Sequence, residues 1–403
     1  MSTKQEFYSI AQEFITTSPI ERKQNAEVLT PISLAQEMID KIPSSFWKEK
    51  NKLFEPACGK GVFLALAYDK FKKAGLSHKT ILTECLYFAD INPFNIDISS
   101  LMLDPKGEYE LNCYEGNTLE LDIEKEWGIT SFDIIVGNPP YNDASGNKGS
   151  GHNIWTKFVK VSLEKWLNEG GYLLYITPSL WRQADHPLQT TMKQYQIEYL
   201  EIHNEADGVK IFKCNTRYDW YLINKVPYYK NSEIKTQVGE IIFKDLSKMN
   251  FIPNYNYDFI DKLVNGVEKI NLIESRSAYG HDKKWVQKIK TDEYKYPVVY
   301  SVNRKNQATF HYSNKNDNGH FGYSKVIFGS GATGFIIDEN GEYGLTQWAT
   351  GIEDKIENLN QIKNALDSSK FKNEVIKATS VSKAEINRKI LKYFKKDFWK
   401  EFI

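Results

Sequence analysis

Residues 132–143 have the sequence FDIIVGNPPYND, and the predicted fold depends on this stretch. Four of its first five residues are apolar and Gly137 ends the run, a pattern typical of a buried strand that stops at the edge of a sheet. The residues that follow are Asn138, Pro139, Pro140 and Tyr141. We expect them at the carboxyl end of the strand, which is where ligands bind in an open α/β sheet.

Two prolines restrict the backbone after this strand. The side chain of Asn138 and the carbonyl groups of Asn138 and Pro139 are therefore expected to keep fixed directions beside the ring of Tyr141. Fixed hydrogen-bond acceptors next to an aromatic face suit a planar amine. A Pro-Pro turn that only closes a strand has the same sequence, so the motif alone leaves both interpretations open.

A glycine loop lies earlier in the chain. Residues 53–75 begin with a short apolar entry, continue through Gly59-Lys60-Gly61 and then show a helical pattern that ends at Gly75. Strand, glycine loop and helix in this order cradle nucleotides, because the glycines admit a ligand close to the backbone and the helix N-terminus favours negative charge. A Gly-x-Gly sequence by itself is a weak signal.

Two further positions follow from the strand and helix patterns. Residues 84–93, ECLYFADINP, predict a second strand that ends at Asp90, where a carboxylate can accept hydrogen bonds from ribose hydroxyls. An acid that only caps the turn before Pro93 is the alternative. Further upstream, Thr30 and Pro31 are predicted as the N-cap and the first residue of a helix.

Together these motifs resemble those of amino-methyltransferases that use S-adenosyl-L-methionine. NPPY after an apolar strand resembles their catalytic motif, and EPACGKG, which begins at Glu55, is similar almost letter for letter to the cofactor loop of the adenine-specific enzymes. The order of Thr-Pro motif, cofactor loop, acidic strand end and NPPY resembles that of the γ group of DNA adenine methyltransferases, the TaqI-like and Eco57I-like enzymes. The resemblance covers about the first 250 residues.

The resemblance implies a set of site residues. Those expected to bind S-adenosyl-L-methionine are Thr30, Glu55, Ala57, Cys58, Gly59, Gly61, Asp90, Asn117 and Asn138. The expected catalytic residues are Asn138, Pro139, Pro140 and Tyr141. The target base is expected to stack on Tyr141 and on Phe212, which lies in a segment predicted as a strand, with Tyr218 as the rival second ring. An ordinary core aromatic is the alternative for Phe212 and Tyr218.

Asn117 departs from the family pattern. The family usually has an aspartate at this position, where it touches the adenine of the cofactor. Asparagine keeps an acceptor at its side-chain oxygen, but it adds a donor and removes the charge. The contact is still expected at Asn117.

The resemblance also implies the fold class and the division of the chain. It implies an α/β protein with a Rossmann-like class I methyltransferase domain, built on a mixed seven-stranded sheet, in residues 1–250. An α+β DNA target-recognition domain is expected to follow in residues 251–403, where short strand patterns give way to helices. The sequence GSGATG, residues 329–334, fits GxGxxG, but an apolar run follows it instead of a helix, so we predict a β-hairpin there.

The charge distribution indicates which part of the chain would meet DNA. Residues 1–250 carry 28 Lys+Arg against 33 Asp+Glu and the remainder carries 24 against 19, so the two parts differ as −5 and +5 within a net charge of zero. The basic part is the better candidate for a phosphate backbone. The expected DNA-binding residues are Asn303, Arg304 and Lys305, at a polar tip between two strand-like runs, together with Lys283 and Lys284. A solvated hairpin turn is the alternative.

The cysteines and the hydropathy pattern bear on the compartment. The four cysteines show no CxxC pairing and no metal-ligand spacing with histidine, which predicts free thiols and no bound metal. No stretch approaches the apolar length of a membrane span. Free thiols and the absence of such a stretch favour a cytoplasmic location.

The sequence thus predicts an adenine-specific, site-specific DNA methyltransferase. It is expected to transfer a methyl group from S-adenosyl-L-methionine to the N6 amine of an adenine flipped out of duplex DNA, within a restriction-modification or similar system. Duplex DNA is the expected partner, and a cognate restriction endonuclease is a further candidate. Three alternatives stay open: an RNA adenine methyltransferase, a protein-glutamine methyltransferase, and a catalytically silent DNA-binding subunit.

Overall fold

The structure is a computed structural model, and it describes residues 29–142, 153–329, 334–381 and 385–403. The chain divides into two compact units. The first comprises the described residues up to Trp181 together with His186–Met249, and the second comprises Arg182–Asp185 together with the described residues from Asn250 onward. Residues 182–185, which the predicted division places in the first domain, therefore belong to the second unit.

The described part of the first unit contains nine strands and eight α-helices. The strands are β1 (Leu53–Glu55), β2 (Leu86–Asp90), β3 (Asn112–Glu115), β4 (Phe132–Gly137), β5 (Leu167–Pro178), β6 (Tyr195–Ile202), β7 (Tyr218–Pro227), β8 (Ser232–Lys235) and β9 (Ile241–Lys244). The helices are α1 (Ile32–Asp40), α2 (Val62–Lys73), α3 (His78–Thr80), α4 (Pro93–Leu103), α5 (Ile123–Trp127), α6 (Ile154–Val161), α7 (Pro187–Met192) and α8 (Glu205–Phe212).

All nine of these strands form one mixed sheet in the order β3-β2-β1-β4-β5-β7-β6-β8-β9. Neighbouring strands from β3 to β5 in this order are parallel, whereas β7 runs antiparallel to β5 on one side and to β6 on the other. The predicted α/β class with a mixed sheet is confirmed. The sheet has nine strands instead of the seven expected, because β8 and β9 extend it beyond β6.

The central strands are buried on both faces. Every residue of β1 and β2 is buried, and in β4 only Asp133 is partly exposed. Such burial explains the near-continuous apolar runs in these strands, since a parallel strand covered on both sides has no solvent face to make polar. The ring of Phe54 in β1 stacks on that of Phe132 in β4, with 4.5 Å between their centroids. The strand before the glycine loop and the strand before NPPY are thereby packed together.

In the second unit, most of the described helices come before or after the strands in the chain. Its described strands are β10 (Asn271–Ile273), β11 (Val286–Gln287), β12 (Tyr296–Val302), β13 (Ala308–Ser313), β14 (Lys325–Gly329), β15 (Phe335–Asp338), β16 (Gly344–Leu345) and β17 (Ala349–Glu353). Its described α-helices are α9 (Tyr257–Val264), α10 (Arg276–Tyr279), α11 (Ile356–Asp367), α12 (Lys377–Thr379) and α13 (Arg388–Leu391). The strands form two four-stranded sheets, in the orders β10-β17-β14-β15 and β11-β13-β12-β16. The predicted α+β class is confirmed for this unit.

The GSGATG sequence lies between two paired strands. Strands β14 and β15 pair antiparallel on either side of it, so the predicted hairpin is confirmed, although residues 330–333 themselves lie outside the described residues. None of the described helices in either unit is both long enough and apolar enough to cross a lipid bilayer.

A buried ion pair joins the two strands of this hairpin. The ammonium group of Lys325 lies 2.6 Å from a carboxylate oxygen of Asp338, and the two side chains are 0% and 1% exposed. Asp338 also accepts hydrogen bonds from the backbone N–H groups of Glu342 and Tyr343, at 2.8 and 3.0 Å. Burial lowers the pKa of Lys325, and the hydrogen bond and charge of Asp338 act in the opposite direction. Asp338 is therefore a structural residue whose removal leaves a buried charge uncompensated.

We predict that Asp338→Ala lowers the free energy of unfolding of the second unit by about 3–5 kcal/mol, because it leaves the Lys325 ammonium without a counter-charge in the core. Asp367→Ala is a matched control, since it breaks the exposed Lys372–Asp367 pair and should change the free energy by less than about 1 kcal/mol. Urea unfolding of the two variants measures both values. Equal effects would contradict the structural role given to Asp338.

Candidate functional site

Three parallel strands of the first unit end at the same edge of the sheet. Strand β1 ends at Glu55, β2 at Asp90 and β4 at Gly137. The pairings Glu55↔Phe88 and Phe54↔Ile135 place these ends side by side. A cleft opens at this edge, where the glycine loop after β1 meets the residues after β2 and β4.

Most of the residues predicted to bind the cofactor line this cleft. They are Thr30, Glu55, Ala57, Cys58, Gly59, Asp90, Asn117 and Asn138. Pro140 lines it as well, whereas Gly61, Pro139, Tyr141 and Phe212 do not. The structure therefore brings together residues from four separate sequence motifs, and it places the second aromatic candidate elsewhere.

The glycine loop has a backbone that only glycine tolerates well. Gly61 is the N-cap of α2 with φ +73°. A Cβ atom at Gly61 would lie 2.6 Å from Cε of Met102 and 2.9 Å from Oγ of Ser99 on helix α4. The loop is closed by hydrogen bonds from the N–H of Gly61 to the carbonyl of Cys58 and from the N–H of Cys58 to the carbonyl of Ala89, both 2.9 Å. A side chain at Gly61 would therefore strain the left-handed backbone and displace the side chains of Met102 and Ser99.

Asp90 holds the loop against the end of β2. One carboxylate oxygen accepts from the N–H of Gly59 and the other from the N–H of Asn92, each at 2.8 Å. Burial raises the pKa of Asp90, and hydrogen bonds from these N–H groups and from the Asn95 side chain act in the opposite direction. A ribose hydroxyl at Asp90 would therefore share the carboxylate with these donors.

Glu55 is a buried carboxylate beside the cleft. It is 2% exposed, and its Oε2 has no hydrogen-bond partner among the described residues. Burial, followed by the charge of Asp90, raises the pKa of Glu55 well above its ordinary value. A cationic group bound in the cleft would compensate this charge. The buried carboxylate of Glu55 therefore fits S-adenosyl-L-methionine, which carries an ammonium and a sulfonium group.

Thr30 meets the NPPY motif directly. The Nδ2 of Asn138 donates to Oγ1 of Thr30 at 3.3 Å. The prediction that Thr30 caps helix α1 is wrong, because the helix begins at Ile32 with Pro31 as its N-cap and shows no side-chain cap. The hydroxyl of Thr30 is consequently engaged with Asn138 and not with the helix.

Tyr141 packs its hydroxyl inward. Its hydroxyl oxygen is buried without a hydrogen-bond partner among the described residues. Burial raises the pKa of Tyr141 well above its ordinary value, with smaller contributions from Cys214, Tyr218 and Asp219. As a residue, Tyr141 is only partly buried.

Phe212 and Tyr218, the two candidates for the second ring that stacks on the target base, are core residues. Phe212 ends helix α8, which begins at a capping box between Asn204 and Asp207. The strand predicted within residues 210–225 is therefore wrong at Phe212, and it is confirmed from Tyr218 onward, where β7 begins. Phe212 is 6% exposed and packs edge-on against Tyr218, which is 1% exposed, at a centroid distance of 4.8 Å. His203 stacks on Tyr218 at 4.3 Å. A base would meet Phe212 only if these rings moved.

Asn117 uses its amide within its own turn. It is the N-cap of a 3₁₀ helix, Thr118–Glu120, where its Oδ1 accepts from the N–H of Leu119 at 3.3 Å. Its Nδ2 donates to the side chain of Glu120 at 2.6 Å. Asn117 remains on the wall of the cleft, where its oxygen has one further lone pair for a ligand.

Several lining residues were not predicted from the sequence. They are Leu29, Pro56, Lys60, Val62, Phe63, Ile91, Asn92, Asn95, Thr118, Ile154 and Phe158. Val62 and Phe63 follow the glycine loop directly, so adjacency could have found them. Ile154 and Phe158 reach the cleft from helix α6, which no local pattern places there. Asn95 is 3% exposed, and its Oδ1 has no hydrogen-bond partner among the described residues.

The DNA-binding candidates in the second unit fall into two separate groups. Arg304 and Lys305 lie at the exposed turn between β12 and β13, beyond the pair Val302↔Ala308. Lys283 and Lys284 precede β11, which pairs with the opposite end of β13 at Ser313. At about 3.3 Å per residue, the β12–β13 ribbon separates the two groups by roughly 20 Å. They would have to contact different parts of a DNA duplex.

The amide side chains at this turn are occupied. Oδ1 of Asn303 accepts from the N–H groups of Lys305 and Gln307, at 2.9 and 3.1 Å. The Nδ2 of Asn303 donates to Oε1 of Gln307 at 3.1 Å, and Oδ1 of Asn306 accepts from the N–H of Phe335 at 2.9 Å. Arg304 and Lys305 are thus the exposed side chains of the turn best placed to reach a ligand. Across the residues that the structure describes, no group of three or more His, Cys, Asp or Glu side chains could hold a metal ion.

Comparison with known proteins identifies one family model and distant relatives. Residues 84–212 match the family model described as Eco57I restriction-modification methylase. The modification methylase CviBIII of Paramecium bursaria Chlorella virus NC1A is 23% identical over 224 residues, which cover 52% of this chain and 50% of that protein. The type I restriction enzyme MjaIX methylase subunit of Methanocaldococcus jannaschii is 26% identical over 127 residues, covering 31% of this chain and 20% of that protein.

A solved structure with a similar chain is the modification subunit of a putative type I restriction enzyme from Vibrio vulnificus YJ016. It has a TM-score of 0.46 and 14% identity, and the match covers 79% of this chain and 66% of that one. The chain spans half or less of the length of the two curated relatives. The resemblance inferred from the sequence is nevertheless confirmed by the family model, which matches residues 84–212.

Proposed function

We propose that the chain transfers a methyl group from S-adenosyl-L-methionine to the N6 amine of an adenine flipped out of duplex DNA. The observation that carries the proposal is a single cleft where Asn138 and Pro140, after β4, meet the glycine loop after β1 and Asp90 at the end of β2. The match to a restriction-modification methylase family over residues 84–212 supports it.

The walls of the cleft bind and orient the cofactor, which supplies a methyl group on a positively charged sulfur. Glu55 would hold the ammonium end, because its buried carboxylate otherwise lacks compensation. Asp90, fixed by the N–H groups of Gly59 and Asn92, would accept from the ribose hydroxyls. The apolar side chains of Val62, Phe63 and others on the wall would exclude water.

The NPPY motif would activate the target adenine amine for methyl transfer. The lone pair of an exocyclic adenine amine is delocalised into the ring, so a site must favour the pyramidal form in which it is localised. The Asn138 oxygen and the Pro139 carbonyl would accept from the two amine protons, and these bonds strengthen as positive charge develops. The contact between Asn138 and Thr30 fixes the amide for this task.

The target base must leave the duplex to reach this cleft. Flipping a base costs a few kcal/mol in lost stacking and pairing. Stacking on an aromatic ring contributes about 1–3 kcal/mol in return. Tyr141 would supply that ring, since it directly follows Pro140, which lines the cleft.

The second unit would hold the DNA, and the names of the relatives support a place in a restriction-modification system. Its exposed cations at Arg304, Lys305 and Lys284 are candidates for contacts to bases or phosphates. Duplex DNA is then the partner, and a cognate restriction endonuclease is a further candidate.

A labelled-methyl assay tests the substrate class. The purified chain is incubated with S-adenosyl-L-methionine and equal amounts of duplex DNA, RNA and protein extract in competition. We expect label in duplex DNA. Preferential label in RNA or protein would replace the substrate in this proposal, and loss of all cofactor binding would point to a catalytically silent DNA-binding subunit.

We predict that Glu55→Gln acts in opposite directions on stability and on binding. Because the folded-state pKa of Glu55 is raised, the wild-type protein without ligand loses stability as the pH rises from the ordinary Glu pKa through the raised one. The variant avoids this loss, so above that window it should be more stable by about 1–3 kcal/mol.

The affinity of the Glu55→Gln variant for S-adenosylhomocysteine should fall by about 10- to 150-fold above that pH window, since a charged hydrogen bond is lost. Wild-type affinity should weaken on acidification from a pH above the ordinary Glu range, and the variant's should not. Thermal unfolding and calorimetry across pH provide the values. A variant that is less stable and binds normally would make Glu55 a structural residue.

We predict that Asn138→Ala lowers the rate of methyl transfer by about 10²–10³ while cofactor affinity changes little, because one acceptor for the developing charge is removed. Thr30→Val is the matched variant: it keeps Asn138 but removes its 3.3 Å contact, so its rate should fall by less. Single-turnover assays with calorimetry separate rate from binding. Turnover near wild type in Asn138→Ala would refute its assignment.

We predict that Arg304→Ala weakens DNA binding in one of two distinguishable ways. A base contact should relax specificity at a single position by about 1–3 kcal/mol, whereas a phosphate contact should weaken all sequences alike and reduce the salt slope by about one. Salt titrations on matched and single-mismatch duplexes discriminate them, and Lys305→Ala is compared alongside as the second exposed cation of the turn. Unchanged binding would exclude this turn from the DNA interface.

A further inference from the structure

Strand β9 is one edge of the nine-stranded sheet and carries exposed apolar side chains. In the sheet order of the described residues, β8 lies on one side of β9 and no strand lies on the other. Ile241 is 59% exposed and Phe243 is 61% exposed. An apolar edge strand with open backbone groups is a template for pairing with another strand. This feature is independent of the proposed function.

The hydrogen bonds between β8 and β9 fix which backbone groups point outward. The N–H of Thr236 donates to the carbonyl of Glu240 at 2.8 Å, and the same ladder continues through Ile234↔Ile242. Direction alternates along a strand, so the N–H and C=O groups of Ile241 and Phe243 point away from β8. The residues with exposed apolar side chains are therefore also those with outward backbone groups.

The neighbouring charges on this face are already neutralised. Phe243 lies opposite Glu233 and Ile241 lies opposite Lys235. Glu233 pairs with Lys41 at 3.0 Å, and Lys235 pairs with Glu201 at 2.9 Å. Ile241 and Phe243 are thus the outermost side chains on this face of the strand pair, and they are apolar.

We propose that β9 pairs antiparallel with β9 of a second copy of this chain, in the register centred on Ile242. This register places Ile241 opposite Phe243 and Glu240 opposite Lys244, each twice. Registers centred on Ile241 or on Phe243 use the same backbone groups, but they set Glu240 or Lys244 against Ile242. Charge complementarity therefore selects the centre at Ile242, and the strand is complementary to itself.

The pairing has four outward backbone groups in each copy and joins four apolar side chains into one cluster. A four-residue strand is short compared with the roughly 800 Å² per partner that a standard stable interface buries, so the dimer is expected to be weak. It joins two nine-stranded sheets into one continuous sheet.

Sedimentation equilibrium of the full chain between 1 and about 200 µM tests the dimer, and charge-swap variants test the register. Glu240→Lys and Lys244→Glu should each weaken association by about 10-fold, because each sets like charges opposite one another twice. The double variant Glu240→Lys/Lys244→Glu restores opposite charges and should regain association. A chain that stays monomeric throughout, or a double variant no better than the single ones, would overturn the proposal.

A cysteine placed at the centre gives a second measurement. Opposed residues without mutual hydrogen bonds in an antiparallel pair have Cα atoms about 4.5 Å apart, within disulfide reach. Ile242→Cys should therefore form an intermolecular disulfide under mild oxidation. Val238→Cys, 63% exposed in the turn before β9, is the matched control and should cross-link at least 10-fold more slowly. Equal rates would contradict the register.

Discussion

The hydrogen bond from the N–H of Gly59 to the carboxylate of Asp90 connects the two halves of the cleft. It joins the loop after β1 to the end of β2, and it requires both strands to end at one edge. The pairing Glu55↔Phe88 guarantees this, since Asp90 lies two residues beyond Phe88. Helix α4 then packs against the loop at Gly61, where a Cβ atom would displace the side chains of Met102 and Ser99. Each part of the cleft is positioned by the parallel register of buried strands.

The same geometry leaves two buried acidic groups close together. Burial raises the pKa of both Glu55 and Asp90, but their surroundings differ. Asp90 accepts backbone hydrogen bonds on both oxygens, whereas Oε2 of Glu55 lacks a partner among the described residues. Asp90 therefore serves the architecture first, and we propose that a cationic ligand would complete the environment of Glu55.

Sequence patterns anticipated the central strands well and the periphery less well. Strand β4 spans Phe132–Gly137 as expected, because a buried parallel strand must be apolar throughout and the following glycine and prolines end it. Strand β2 is also buried throughout and ends at Asp90, as expected. Phe212 was misassigned to a strand that begins only at Tyr218, since Ile211 and Phe212 fit an apolar strand pattern, while a polar capping box upstream favours a helix. Ile154 reaches the cleft, and Asn138 contacts Thr30, only through the tertiary fold.

The central claim is that the NPPY motif acts on an adenine amine of duplex DNA. The most direct measurement is the modified-base content of genomic DNA from a methylation-free host that expresses the chain, by mass spectrometry of nucleosides, with Asn138→Ala expressed as the control. We expect N6-methyladenine with the wild-type chain and none with the variant. Methylated cytosine instead of methylated adenine, or equal N6-methyladenine in both cultures, would contradict it.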